Sequence, residues 1–317
     1  NRQNTEVRLI RLIKGYIATI LSTILWGASF VWTGELLQTY NFTPITIVFC
    51  RMVIASILMF AIFSAMGKIE RLKKKDVKIF VLLALFQPFL YFIGETYGLK
   101  FVGEASFAAV MIALIPVFAP FALSIIYKRK LKGELVVGAI VSVLGVVLMS
   151  LNLGGQGISI IGILWLIEAI ITACGYNVVL QTLLDRGYSA ITITTYQNVF
   201  AAIFYIPLFF IMDFKTFPTI IWTGRAVFDI LALSVLCSAI AYMCYSYGAR
   251  IISLEKEAIF NNAIPVVTII MSVMMGQEML TIRKVLGMIV VILGLMLSQQ
   301  NFIKKPKQRN SKEKTKE

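Results

Sequence analysis

Long apolar runs alternate with short polar segments along the whole chain. Ten runs approach the roughly 20 residues that a helix needs to cross a bilayer core about 30 Å thick. They are continuous blocks of Leu, Ile, Val, Phe and Ala, not the alternating segments of barrel strands, so each run predicts a helix. The runs are Gly15–Leu36, Pro44–Met66, Val77–Gly98, Ala105–Tyr127, Gly133–Leu151, Ile160–Thr182, Ala190–Met212, Val227–Gly248, Glu257–Gly276 and Arg283–Gln299. The pattern predicts an all-α membrane protein with ten transmembrane helices.

The composition and the positions of the charges support this prediction. Apolar residues make up 59% of the 317 residues, more than a soluble domain usually carries. Of the 30 Lys and Arg residues, 24 fall on one side of the membrane and five on the other when the N-terminus is cytoplasmic. This bias follows the positive-inside rule. It predicts a multi-pass protein of a bacterial-type cytoplasmic (inner) membrane with both termini in the cytoplasm. It also accounts for the net charge of +14 without a nucleic-acid partner.

The two halves of the chain repeat each other. A separation of 149 residues relates Pro116 to Pro265, Gly138 to Gly287 and Gly145 to Gly294. Each half holds five runs, and because five is odd the second half must enter the membrane from the opposite side. Inverted repeats of this kind are typical of alternating-access transporters, whose substrate site lies near the midplane between the repeats. The predicted organisation is a cytoplasmic segment (1–14), a first five-helix repeat (15–151), a linker (152–159), a second five-helix repeat (160–299) and a basic, disordered cytoplasmic tail (300–317).

Several stretches resemble the EamA-like branch of the drug/metabolite transporter superfamily. The residues that carry the resemblance are Trp26, Gly27, Arg51, Gly94–Phe101, Asn261–Val267, Gly276–Glu278 and Arg283–Leu297. The resemblance covers about residues 15–299 and implies a ten-helix carrier of two repeats that exports metabolites, amino acids or drugs. One departure concerns Glu278, because the equivalent stretch of the first half reads YKRK (127–130) and lacks the acid.

Polar side chains inside the apolar runs are candidates for a substrate pathway, because an ionisable group in lipid costs about 2.5–3.5 kcal/mol without a partner or a wet cavity. Arg51 binds a substrate carboxylate or forms a structural ion pair, for which Glu95 is a specific candidate partner. Glu168 exchanges a proton or pairs with Arg51 or another polar neighbour. The amide candidates, which line a polar path or cross-link helices, are Asn177, Gln181, Gln197, Asn198, Asn261 and Asn262.

Aromatic side chains and prolines complete the candidate pathway. The aromatic candidates for contact with an apolar or aromatic substrate are Trp26, Tyr91, Tyr176, Tyr242 and Tyr245. Packing and interface anchoring are the alternative roles for each of them. Pro116 and Pro265 occupy equivalent positions in the two halves, and each removes a backbone hydrogen bond, so both are predicted to kink their helices.

The residues that the chain lacks narrow the function. There is no histidine, which excludes His-based metal sites and Ser-His-Asp catalysis, and no metal or cofactor is expected. The chain has no GxxxxGK[ST] motif, so ATP does not drive transport directly. We therefore predict a secondary transporter that moves a small molecule across the bilayer by alternating access, and Glu95 and Glu168 leave proton coupling open. The resemblance implies that it exports small metabolites, amino acids or drugs. The alternatives are a proton-coupled multidrug efflux carrier and, from other classes, a channel or a membrane-embedded enzyme.

Overall fold

The computed structural model describes residues 2–118, 133–150 and 159–299, and these residues form helices and turns without any strand. The helices are α1 (Arg2–Gln38), α2 (Pro44–Ala65), α3 (Val77–Val102), α4 (Ala105–Phe118), α5 (Gly133–Ser150), α6 (Ile160–Asp185), α7 (Ala190–Met212), α8 (Gly224–Ile252), α9 (Leu254–Asn261 and Ile264–Met274) and α10 (Ile282–Ser298). A short 3-10 turn (Phe217–Thr219) lies between α7 and α8. The end of the fourth predicted run, most of the predicted linker and the predicted tail lie outside the described residues.

The described helices have the length and surface of membrane helices. Six are long and apolar enough to cross a bilayer: Glu6–Gln38, Pro44–Ala65, Val77–Val102, Ile160–Asp185, Ala190–Met212 and Gly224–Ile252. Three shorter apolar helices are Ala105–Phe118, Gly133–Met149 and Ile259–Met274. Large apolar side chains such as Ile57, Ile171 and Ile211 are 61%, 65% and 81% exposed. Water would disfavour so apolar a surface, whereas lipid solvates it. The predicted all-helical membrane fold is confirmed at this level, and the number of ten spans stays a prediction.

Helices of one half pack against helices of the other half. α1 packs on α8 and α3 on α6, while α2 pairs with α7, α4 with α9 and α5 with α10. Exchanging each helix for its counterpart in the other half turns the α1–α8 pair into the α6–α3 pair and leaves the other three pairs unchanged. The contacts therefore have the two-fold pattern expected of two similar five-helix halves.

The α5–α10 pair is held together by two glycines on each helix. A Cβ atom built on Gly145 would lie 2.7 Å from the Gly287 carbonyl oxygen and 2.7 Å from the Val291 nitrogen. A Cβ atom on Gly138 would lie 2.6 Å from the Gly294 carbonyl oxygen. Glycines seven residues apart share one helix face, and here they let the two backbones touch.

The connecting segments meet at two opposite ends of the bundle. At one end, called the Glu278 end, the backbone nitrogen of Ile221 donates to Tyr40 O over 3.0 Å, and that of Ser106 donates to Glu278 Oε1 over 2.9 Å. At the other end, called the Glu70 end, the backbone nitrogen of Ser189 donates to Glu70 Oε1 over 2.9 Å. The loops that the sequence assigns to opposite sides of the membrane thus lie at opposite ends.

The first turns of α2 and α7 are each stabilised by an acid from the opposite half. Asp213 Oδ2 accepts a hydrogen bond of 3.0 Å from the backbone nitrogen of Thr46 and a further bond from the Thr43 hydroxyl. In the same way Glu70 accepts from the backbone nitrogen of Ser189, which precedes α7. A helix N-terminus carries a partial positive charge, so both carboxylates are favourably placed. Each half supplies one such anchor to the other.

Asp76 forms a second link at the Glu70 end. The hydroxyl of Tyr188 donates to Asp76 Oδ2 over 2.7 Å, and the Arg186 guanidinium forms an ion pair with the same carboxylate. The Tyr188 hydrogen bond, assisted by Arg186, lowers the pKa of Asp76 from its ordinary value of 3.8. The loop before α3 is therefore fixed to the loop after α6 by a charged, hydrogen-bonded contact.

Four helices are interrupted near their middles. In α3 the regular helix breaks at Gln87, where φ is −150° and ψ is 124°, directly before Pro88. α8 has wide turns over Ala232–Ile240. The turns that interrupt α4 and α9 directly precede the segments containing Pro116 and Pro265, the two residues predicted to kink. The breaks leave backbone carbonyls free, and α7 satisfies two of them.

The hydrogen bonds from α7 to these breaks are direct. Tyr205 Oη donates to the carbonyl oxygen of Phe89 over 2.5 Å, and Asn198 Nδ2 donates to that of Ser238 over 2.8 Å. Both donors are fully buried. Unpaired carbonyls inside a membrane protein are costly, so these two side chains stabilise the interruptions on either side of α7.

Candidate functional site

A cavity lies between the two halves, next to the helix breaks. Its walls come from α1, α3 and α4 of the first half and from their counterparts α6, α8 and α9 of the second half. The cavity volume, measured as the space open to the centre of a water molecule, is about 60 Å³. The lining residues are Trp26, Ser29, Phe30, Gln87, Tyr91, Phe92, Glu95, Ile112, Ile115, Pro116, Ala173, Tyr176, Asn177, Tyr242, Tyr245, Asn261 and Ile264. Equivalent helices of both halves thus enclose a single space, as expected for a transporter site between repeats.

Aromatic rings dominate the wall of the cavity. The Trp26 ring lies 5.1 Å from the Tyr242 ring and 5.0 Å from the Tyr245 ring, centroid to centroid. Tyr242 also contacts Tyr176 at 6.3 Å. These contacts join α1, α6 and α8 into one aromatic cluster, called the Trp26 cluster. Such rings offer flat apolar faces with a polar tip, which suits contact with an apolar or aromatic body.

Hydrogen bonds fix the orientation of these rings. Gln87 Nε2 lies 2.7 Å from the Tyr242 hydroxyl, and the Tyr245 hydroxyl donates to Asn177 Oδ1 over 2.9 Å. The Trp26 indole nitrogen donates to the carbonyl oxygen of Cys237, at the break in α8, over 3.3 Å. The cluster is therefore anchored to interrupted backbone and to amides, so that a shift of α3 or α8 would move the rings.

Two oxygen atoms in the cavity wall lack a hydrogen-bond partner among the described residues. They are Glu95 Oε2 and Asn261 Oδ1, and both are buried. An unpaired buried acceptor costs about 1–3 kcal/mol, and more when it is charged. Among the described residues, the cavity lining carries an acid and no basic side chain. Together these groups fit a ligand that brings N–H donors or a positive charge.

Arg51 lies behind the cavity wall. Its side chain is 2% exposed, its Nε donates to Ser238 Oγ over 3.1 Å, and its guanidinium carbon lies 4.0 Å from the centroid of the Phe92 ring. Arg51 and Glu95, both within the described residues, form no salt bridge, because the guanidinium faces the Phe92 ring and Ser238. The ion pair considered from the sequence is therefore absent, and Arg51 supports the wall through Phe92.

The structure brings eight of the fourteen pathway candidates to the cavity and places the others elsewhere. Those in the wall are Trp26, Tyr91, Glu95, Tyr176, Asn177, Tyr242, Tyr245 and Asn261. Besides Arg51, the others are Glu168 beside Gly94, Gln181 bonded to Asp185, Gln197 bonded to the Tyr176 hydroxyl, Asn198 at the α8 break, and Asn262 bonded to Gln299. Gln197 therefore touches a lining residue without lining the cavity itself.

Three polar residues near the cavity were not candidates in the sequence. Ser29 and Gln87 line it, and Glu257 is fully buried in α9 behind Tyr176 and Tyr245. Gln87 precedes Pro88 in the middle of an apolar run, and that pair was the available signal. Glu257 stands at the first position of the ninth predicted run, where a carboxylate would ordinarily be solvated.

The family model of the EamA-like transporters matches residues 13–151 and, a second time, residues 160–299. The chain belongs to the EamA-like transporter family. This EamA-like transporter is therefore a multi-pass integral membrane protein of the drug/metabolite transporter superfamily, in contact with the lipid bilayer and with a small-molecule substrate. The resemblance stated from Trp26, Arg51 and the Asn261–Val267 stretch is confirmed.

Two relatives that match along nearly the full length are transporters by name, and a third matches part of the chain. An uncharacterized transporter of Archaeoglobus fulgidus is 27% identical over 90% of this chain and 98% of its own length. The uncharacterized transporter YoaV of Bacillus subtilis is 20% identical over 92% of this chain and 98% of its own length. A WAT1-related protein of Arabidopsis thaliana is 29% identical over 39% of this chain and 34% of its own length.

A protein of known crystal structure has a similar fold. It aligns with this EamA-like transporter at a TM-score of 0.61 and 16% sequence identity, covering 87% of this chain and 97% of its own. At that identity the likeness supports the helical arrangement alone.

Proposed function

We propose that this EamA-like transporter is a secondary carrier that exports a small metabolite, amino acid or drug by alternating access through the cavity of the Trp26 cluster. The observation that carries the proposal is the position of this cavity between equivalent helices of the two halves. Two inverted halves can rock against each other around a central site, which opens it to one side at a time. The interrupted helices beside the cavity provide places where such a movement can be absorbed.

The wall of the cavity suggests the kind of substrate. Trp26, Tyr242 and Tyr245 offer ring faces, while Glu95 and Asn261 offer acceptors without partners. A molecule with an aromatic or apolar body and an amino group would satisfy both sets of groups. Its ammonium group would offset the cost of the buried Glu95 carboxylate. Amino acids with large side chains and cationic aromatic drugs are the two classes to compare.

The proposal places ten spans in the membrane with the Glu70 end in the cytoplasm. The exposed lysines of Lys68–Lys78 lie at this end, where anionic headgroups and the positive-inside rule favour them. Reporter fusions after Ala65, after Asp185 and after Met212 test the placement. The first two fusions should report the cytoplasm and the third the opposite side. A different pattern would reject the topology.

Counterflow in proteoliposomes tests the transport activity. Vesicles are loaded with an unlabelled amino acid or cationic aromatic drug, and uptake of the labelled compound is followed without any ion gradient. A carrier gives transient, saturable accumulation, whereas a channel gives none. Trp26→Ala should lower the counterflow rate about tenfold or more, because it removes ring contacts worth about 1.4 kcal/mol or more at the substrate.

Tyr97→Ala is the matched control for Trp26→Ala. Tyr97 lies on α3 but stacks on Trp165 at 5.2 Å and does not line the cavity. Its loss removes an aromatic side chain of comparable burial without touching the proposed site. If no compound of either class shows counterflow, or if both variants lose equal activity, the proposed site is wrong.

A further inference from the structure

A carboxyl group that the cavity does not include is sealed among α1, α8 and α9. Glu257 has no exposed surface, and its Oε2 atom has no hydrogen-bond partner among the described residues. Its Oε1 atom lies 3.0 Å from the hydroxyl of Thr19 in α1. A Cβ atom on Gly248 of α8 would collide with both groups, so α8 closes the space from the third side. A carboxyl group that is buried this completely needs a structural or functional explanation.

The described surroundings of Glu257 hold no buried positive charge that could balance an ionised carboxylate. Among the described residues it forms no salt bridge. The titratable groups close enough to sense its charge are Tyr176 of α6 and Tyr245 and Cys244 of α8. α1 contributes the neutral Thr19 hydroxyl, and all of these groups are uncharged at neutral pH. The basic residues Lys14 of α1, Arg250 of α8 and Lys256 of α9 are exposed, and none of them forms a salt bridge with Glu257. A lone buried carboxylate would be very costly here.

The hydrogen bonds around Thr19 favour the protonated acid. Thr19 Oγ1 lies 3.0 Å from the carbonyl oxygen of Gly15 and 3.0 Å from Glu257 Oε1. A hydroxyl group has one hydrogen and can donate to only one of them. If Glu257 is protonated, its O–H donates to Thr19 Oγ1 while Thr19 donates to Gly15, and both short contacts become hydrogen bonds. If Glu257 is ionised, one of the two is lost.

The other half of the molecule shows that the fold does not need an acid at this position. The separation of 149 residues relates Glu257 to Ala108, which is also fully buried. In that half Leu166 fills the space beside Gly98, as Thr19 does beside Gly248. The same helix packing is therefore achieved with Ala108 and Leu166 in one half and with Glu257 and Thr19 in the other. The carboxyl group is an addition that packing does not explain.

We propose that Glu257 is the proton-binding site of the transporter, protonated while sealed between α1 and α8 and deprotonated when the Glu70 end opens. This inference rests on the proposed function and deepens it, because it makes the carrier a proton exchanger. Tyr176 and Tyr245 both line the cavity and lie close enough to Glu257 to sense its charge. Water in a cavity open at the Glu278 end supplies the proton to the carboxylate, and water entering at the Glu70 end receives it from the acid. One proton enters the cell for each substrate that leaves.

A pH gradient across proteoliposomes measures this coupling. The potential is clamped at zero, and labelled phenylalanine and tetraphenylphosphonium serve as probes, one for each substrate class. With one proton exchanged per substrate, a difference of one pH unit should concentrate the probe about tenfold in the acidic compartment. In Glu257→Gln the accumulation should disappear, and the pH dependence of counterflow should become flat. Glu6→Gln, an exposed acid of α1, is the control and should accumulate the probe as the unchanged protein does.

Each outcome decides the proposal. Accumulation that survives in Glu257→Gln, or counterflow without any response to the gradient in the unchanged protein, overturns it. Glu257→Ala copies the residue of the other half and provides a second test if the glutamine variant does not fold. If neither probe shows counterflow, the proposed function fails separately. The proton site is then judged by infrared difference spectra between acidic and alkaline pH, in which Glu257→Gln must lose a protonated carboxyl band; identical spectra would reject it.

Discussion

The glycine contact between α5 and α10 allows a sharp test of the packing. In Gly145→Ala the new Cβ atom would lie 2.7 Å from backbone atoms of Gly287 and Val291. This distance is about 0.7 Å shorter than the 3.4 Å at which ordinary van der Waals contact begins. Neither neighbour is a flexible side-chain end, so the two helices must separate by a similar distance. A gap of 0.5–1 Å forfeits about a quarter to a half of the dispersion energy of the atoms that face it. We expect a loss of about 1–3 kcal/mol, the usual cost of overpacking.

The matched control lies on the same helix. None of the other described residues lies within 4 Å of a Cβ atom built on Gly133, so Gly133→Ala adds the same methyl group without a clash with them. Gly145 lies inside α5, where Ala is favoured over Gly by about 1 kcal/mol, whereas Gly133 is the first residue of the helix and gains less. A loss of stability in Gly145→Ala alone therefore opposes the propensity difference and reports the contact with α10.

The assay is equilibrium unfolding in detergent micelles with a titrated denaturant, followed by tryptophan fluorescence. Gly133→Ala should be as stable as the unchanged protein or more so, while Gly145→Ala should be less stable by the stated amount. Equal stabilities of the two variants would show that α5 and α10 do not approach this closely. The reasoning about the paired glycines would then be wrong.

Three further predictions concern individual side chains. Because Tyr188 lowers the pKa of Asp76, this carboxylate contributes stability above pH 3.8 that is lost as the pH falls below that value; Tyr188→Phe should weaken this acid-dependent loss in unfolding measured against pH. Gln87→Leu should slow counterflow by more than its effect on the free energy of unfolding explains, because the substitution frees the Tyr242 hydroxyl that Gln87 Nε2 holds at 2.7 Å. An unchanged counterflow rate would contradict the role of this bond. Arg51→Lys keeps the charge but loses the planar contact with the Phe92 ring, so the unfolding free energy should fall by about 1–2 kcal/mol; no change would show that the contact is not formed.

The helices and their repeat could be predicted from the sequence because each rests on a regular pattern. The runs beginning at Pro44 and Ala190 match the starts of α2 and α7, where Thr43 and Ser189 cap the helices. The pairing of α5 with α10 could not be read from the runs, although the glycines that make it possible were visible. Spacing shows that two residues share a face but not which helix they meet.

The roles of the polar residues were harder to predict, because they depend on what packs beside them. Asn177 and Asn198 are both amides in the middle of apolar runs, yet one lines the cavity and the other satisfies a carbonyl at a helix break. Glu257 was not among the pathway candidates, because it stands at the start of the ninth apolar run, where a carboxylate is ordinarily solvated. Only the fold shows that Thr19, 238 residues away in the chain, encloses it.

The reciprocal anchors at α2 and α7 imply that the two halves cannot become independent proteins. Asp213 contacts a helix of the first half and Glu70 a helix of the second, so a half expressed alone would keep its own Thr43 or Ser189 cap but would lose the carboxylate of the other half and leave its own acid without a partner. Co-expressed fragments divided within residues 151–158 should instead assemble, since each carries the carboxylate that the other lacks.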